Sequence, residues 1–170
     1  MIKFIPNILT SIRIISIPFI IVLFAINKIE LAIILAIITA ITDCFDGYIA
    51  RKFNVTSDFG AKLDAVSDKF FAGGLLITLS IKFHLLLISV FLELIISITN
   101  LILHFKNKHP KTIFIGKVKT WFLFLDVVLG FIACFNNSFT TFMYIILVIT
   151  IILQIVSATI YIKKGIEKVS

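Results

Sequence analysis

The chain has 170 residues, 60% of them hydrophobic and 15% charged, with a formal charge of +7. Ordinary soluble domains run near ~50% and ~25%, and eighteen phenylalanines plus long Ile/Leu runs leave too little polar surface for a water-facing coat. The composition excludes a soluble globule and predicts an all-α polytopic membrane protein, a single domain over residues 1–170.

The basic residues sit in short loops and at the ends of apolar runs. That placement fits anionic lipid headgroups and topology, and argues against nucleic acid as a partner. Cys44 and Cys134 lack any ligand spacing and read as small apolar residues. The opening residues carry no small-residue cleavage site, so no removable signal is expected.

In chain order, Met1 to Pro6 is a short lead. The first span runs from Ile8 to Ile26 and carries Arg13 and Pro18. Pro18 removes one helical hydrogen bond and is a point of kinking. Arg13, one turn inside, either snorkels to the surface or faces a polar cavity. After a turn at Asn27 to Glu30, the second span covers Leu31 to Ala50, with Asp43 and Asp46 in its last third. Arg51 to Ser57 connects it to the third span, Phe59 to Ile81, with Asp64 and Asp68 in its first half; Ser57 or Asp58 is placed to cap it.

The fourth span, Leu85 to Phe105, holds Glu93 and Asn100, and Lys106 to Lys119 reads as a basic loop. The fifth runs from Thr120 to Phe135 with Asp126, and the sixth from Phe139 to Ile162. Six spans put the N-terminus, the Arg51–Lys52 connection, the 106–119 loop and the tail on one side. Those segments hold most of the Lys and Arg, so both termini are expected in the cytoplasm.

Five of the nine acidic residues fall between Thr42 and Lys69. Asp43 and Asp46 are three apart, and Asp64 and Asp68 four apart, so each pair shares a helix face. The second span ends where the third begins, which brings both pairs to one membrane side. Four clustered carboxylates repel unless cations sit among them, and oxygen-only donors suit Mg²⁺ or Mn²⁺. The competing readings are a structural polar network and a divalent-cation transporter, although transport sites favour the membrane midplane.

The full pattern is D-x-x-D-G-x-x-A-R, eight residues, then G-x-x-x-D-x-x-x-D, at Asp43, Asp46, Gly47, Ala50, Arg51, Gly60, Asp64 and Asp68. It resembles the signature of the CDP-alcohol phosphotransferases, membrane enzymes of phospholipid synthesis. The resemblance implies transfer of a phosphatidyl group from CDP-diacylglycerol to a small alcohol with release of CMP. It implies two bound ions held by Asp43, Asp46, Asp64 and Asp68, with Asp68 also the general base. Gly47, Gly60 and the small Ala50 then let the nucleotide lie close to the helices, and Arg51 meets a phosphate. A homodimer in the cell membrane, its active site facing the cytoplasm, is also implied.

Two flanking stretches resemble the phosphatidylglycerophosphate synthase branch: FIPNILTSIRIISIP near the start and IGKVKT at 115–120. By that likeness Lys117 or Lys119 binds the phosphate of glycerol 3-phosphate, as cations at a helix start would. The chain departs from the branch at Ala65, Leu92 and Asn100, which stand where proline and two arginines are usual. Missing guanidinium groups weaken a phosphorylated acceptor by a few kcal/mol. Serine, inositol phosphate or a phospholipid therefore stay open as alternative acceptors. Glu93 and Asn100 either line the acceptor pocket or hydrogen-bond between helices. Asp126 is either a cavity acid or the partner of a lysine such as Lys119. Gly73–Gly74 reads as a close helix contact. Trp121 and Tyr161 read as interface anchors, and the three histidines as span-end or loop residues.

Overall fold

A computed structural model describes the backbone over residues 5–52, 58–105 and 114–166, and side chains over 11–42, 66–103 and 114–163. Among the described residues there are six helices and no strand: α1 (Ile5–Ala25), α2 (Ile29–Lys52), α3 (Asp58–Ser80), α4 (Leu86–Phe105), α5 (Phe114–Phe135) and α6 (Ser138–Ile166). The apolar runs therefore mark helices, as expected. One boundary moves: α5 starts at Phe114, within the stretch read as loop. Lysine is a good helix former, and the two lysines in the first turns of α5 take opposite faces, Lys117 exposed and Lys119 buried. Charge alone misread them as loop.

The helices form two compact units, Met1–Ile81 and Lys82–Ser170. In the first, α1 packs on both α2 and α3. Ile17 lies against Gly74, where an added Cβ would come 2.4 Å from its Cγ2. Arg13 meets Ser67 and Asp68 on the same pair of helices, so α1 and α3 run in the same direction. Only half of the expected Gly73–Gly74 contact is present, since a Cβ at Gly73 would meet nothing within 4 Å. Despite Pro18, α1 is continuous to Ala25. Asn27 ends it with a φ of 60°, a conformation asparagine tolerates better than most residues. The Lys28 N–H reaches the Leu23 carbonyl at 2.9 Å and the Asn27 N–H that of Phe24 at 3.0 Å. These two bonds close the last turn and reverse the chain into α2.

In the second unit α6 packs on both α4 and α5. Its buried face is Met143, Leu147, Thr150, Gln154, Ser157 and Tyr161, at helical spacing. Against it α5 buries Lys119, Leu123, Asp126, Val127, Gly130 and Ala133. Polar groups thus lie inside, while Phe91, Trp121, Phe124 and Phe142 point outward, each more than 60% exposed. Such a distribution suits lipid and would be unstable in water. Tyr161 departs from its expected role as an anchor: it is buried, with its hydroxyl facing the space beside Gly116. Lys82 caps α5, its Nζ donating to the Cys134 carbonyl at 3.1 Å.

Among the described residues three stretches are long and apolar enough to cross a membrane: Leu86–Leu103, Phe114–Phe135 and Ser138–Lys163. Ser11–Ala25 and Ile29–Thr42 are shorter apolar stretches within the described residues.

Candidate active site

Asp43, Asp46, Gly47, Ala50 and Arg51 lie on the last turns of α2, and Gly60 and Asp64 on the first turns of α3. The side chains of these seven lie outside the described residues. Asp68, nearly three turns into α3, is described, with its side chain 55% exposed. Arg13 donates from Nη1 to Asp68 Oδ1 at 2.5 Å and to Ser67 Oγ at 3.4 Å. Arg13 is 2% exposed. Of its two expected placements it takes the inward one, because the exposed carboxylate of α3 supplies the counter-charge a buried guanidinium needs.

Among the described residues no group of three or more His, Cys, Asp or Glu comes together; three of the four aspartates fall outside that set. The chemistry of the donors present fits a hard divalent cation. Asp68 offers a solvent-reachable carboxylate, and no sulfur or imidazole lies at the signature positions.

The second unit resolves the two lysines. Lys119 is buried and donates from Nζ to both carboxylate oxygens of Glu93, at 2.6 and 2.5 Å. Gln154 Nε2 joins them, 3.3 Å from Glu93 Oε2 and 3.0 Å from the Ser89 carbonyl. Glu93 therefore ties α4 to α5 and α6, the interhelical alternative of the two expected for it. Lys117 is exposed, in a surface groove of about 460 Å³ shared with Thr120, Trp121 and Phe124. Asp126 is fully buried; its Oδ2 accepts from Thr150 Oγ at 2.6 Å, and Oδ1 has no partner among the described residues. Of its two expected readings the lysine partner is not found among the described residues, since Lys119 is held by Glu93. Asn100 is half-buried with Oδ1 unpartnered among the described residues. The Lys119–Glu93 and Arg13–Asp68 pairs were not foreseen. The available signal was that a buried charge needs an opposite one.

Comparison with known proteins adds two findings. Residues 3–156 match the family model described as CDP-alcohol phosphatidyltransferase, a stretch that runs through both units. Similar curated proteins are named CDP-diacylglycerol--glycerol-3-phosphate 3-phosphatidyltransferase. That of Rickettsia typhi is 47% identical over 74 residues, covering 42% of this chain and 42% of the relative. That of Rickettsia bellii is 47% identical over 77 residues, 44% of this chain and 42% of the relative. That of Salmonella typhimurium is 39% identical over 83 residues, 47% of this chain and 46% of the relative. Each alignment spans less than half of the relative's length.

Proposed function

This chain belongs to the CDP-alcohol phosphatidyltransferase family, and from that premise we propose that it moves the phosphatidyl group of CDP-diacylglycerol onto glycerol 3-phosphate and releases CMP. The observation that carries the reading is the register of the four aspartates. Two lie three apart at the end of α2 and two lie four apart at the start of α3, with Gly47, Ala50, Arg51 and Gly60 at their fixed intervals. The names of the relatives favour glycerol 3-phosphate as acceptor.

In the proposed reaction the acceptor hydroxyl attacks the phosphorus on the diacylglycerol side of the pyrophosphate. The bond from that phosphorus to the bridging oxygen breaks, and CMP departs with the electron pair. Asp68 takes the hydroxyl proton. Arg51 holds a phosphate of the nucleotide, and Gly47, Ala50 and Gly60 leave room for it. Asp43, Asp46, Asp64 and Asp68 would hold two Mg²⁺ or Mn²⁺ ions. When bound, these neutralise the pyrophosphate and acidify the attacking hydroxyl. Of the two lysines, exposed Lys117 is the one free to meet the acceptor's phosphate, because Lys119 is taken by Glu93. The reading includes six spans, both termini and the aspartates on the cytoplasmic side, and a homodimer in the cell membrane.

The test is CMP release by purified protein given CDP-diacylglycerol, Mg²⁺ or Mn²⁺, and glycerol 3-phosphate, with serine, inositol phosphate and phosphatidylglycerol in parallel. Metal-dependent CMP formation with glycerol 3-phosphate is expected. Release with another acceptor alone would reassign the substrate, and metal flux across proteoliposomes without CMP would favour a transporter.

A further inference from the structure

We infer that Arg13 is a positioning residue for Asp68: a guanidinium anchored on α1 fixes the orientation of that carboxylate and tempers the charge it offers to a cation. The role rests on the assignment of Asp68 as metal ligand and base.

Arg13 is 55 residues from Asp68 in sequence, so the contact exists only because α1 packs on α3. The guanidinium is 2% exposed while the carboxylate it holds is 55% exposed. One partner is thus locked in the interior and the other faces outward. Arg13 does not drift along α3, because Ile17, one turn further on α1, is seated on Gly74. Ser67 Oγ, 3.4 Å from the same Nη1, gives the fork a second point of reference. Ser16 Oγ donates to the Arg13 carbonyl at 2.7 Å and steadies the turn that carries it.

A carboxylate with one oxygen held by a buried arginine is restricted in how it can turn toward a cation. Arginine stays charged at every working pH, so its repulsion of a nearby divalent ion is permanent. Two consequences of opposite sign follow from removing it. The carboxylate becomes a stronger cation ligand, and its geometry toward the acceptor hydroxyl is lost. A residue that only holds the fold together would weaken both.

The experiment compares wild type, Arg13→Met and Arg13→Lys. It reads Mn²⁺ binding by electron paramagnetic resonance without substrate, CMP release and thermal unfolding. Arg13→Met is expected to bind Mn²⁺ about tenfold more tightly. Its kcat should fall at least about tenfold, with KM for CDP-diacylglycerol within about twofold. Arg13→Lys, which keeps the charge but not the fork, should bind Mn²⁺ like wild type and recover part of kcat. A folded Arg13→Met with unchanged or weaker Mn²⁺ binding overturns the inference, as does one with wild-type kcat. If Arg13→Met does not fold, Arg13→Lys decides: full wild-type turnover overturns the role, and reduced kcat at unchanged Mn²⁺ affinity supports it. Wild type that binds Mn²⁺ but releases no CMP sinks the proposed reaction instead, and the Mn²⁺ comparison still decides the inference.

Discussion

Asp68, expected within the third span, and Lys119, expected at the end of a basic loop, both lie on helices and both pair with an opposite charge, yet their surroundings predict different failures. Asp68 keeps an exposed carboxylate. Asp68→Asn should lower CMP release by about 10²-fold or more, the usual worth of a positioned base, and lower the unfolding midpoint, since it takes a counter-charge from the buried Arg13 guanidinium; retained turnover would remove it from the mechanism. Lys119 is consumed by Glu93. Lys119→Met strands a carboxylate that is 25% exposed, so about 2 kcal/mol is expected, below the ~3–5 kcal/mol of a fully buried pair. Lys119→Met combined with Glu93→Gln should recover most of that loss in thermal unfolding. Lys117→Met should leave unfolding unchanged and raise the KM for glycerol 3-phosphate. The spacing of the acids was readable because it is local, three and four residues on one helix. The Lys119–Glu93 pair was not: its partners are 26 residues apart on different helices, and which of two neighbouring lysines turns inward depends on the rotation of α5.

Among the helices, α3 gives the sharpest contrast. Gly74→Ala would place a methyl 2.4 Å from Cγ2 of Ile17, a β-branched side chain with little freedom to move on a helix. A cost of about 1–3 kcal/mol is expected. Gly73→Ala meets nothing within 4 Å and should gain about 0.5–1 kcal/mol from helix propensity. Thermal unfolding of the two variants in one detergent checks the difference; equal midpoints would contradict the α1–α3 contact. Adjacent glycines read identically in sequence, so only packing tells them apart. The start of α5 departs from the expected loop for a related reason: lysines suggest a loop by charge, although their stems and propensity suit a helix on which Lys119 has a half-buried acid to meet. Apolar runs bounded by polar turns, in contrast, marked the other helices within a few residues, because a long apolar stretch satisfies its backbone polar groups internally as helix.

For the whole molecule, the distribution of Lys and Arg makes a topological prediction. In a functional variant without Cys44 and Cys134, Asn54→Cys and Lys108→Cys should react with an impermeant thiol reagent only from the cytoplasmic side. Lys28→Cys and Asn137→Cys should react only from the opposite side; any exchange between the sets contradicts six spans. Lys82, expected on the poorly charged side, has a local use, capping α5 through the Cys134 carbonyl. The chemistry proposed for the chain depends most on the carboxylates of α2 and α3 acting with a divalent cation on a CDP-linked lipid. Its most direct test is to mix purified protein with CDP-diacylglycerol and glycerol 3-phosphate and follow CMP with Mg²⁺ or Mn²⁺ added and then chelated. CMP appearing in step with phosphatidylglycerol phosphate, stopped by chelation and absent in Asp68→Asn, is the predicted result. No CMP with any acceptor, or the same rate after chelation, would contradict it.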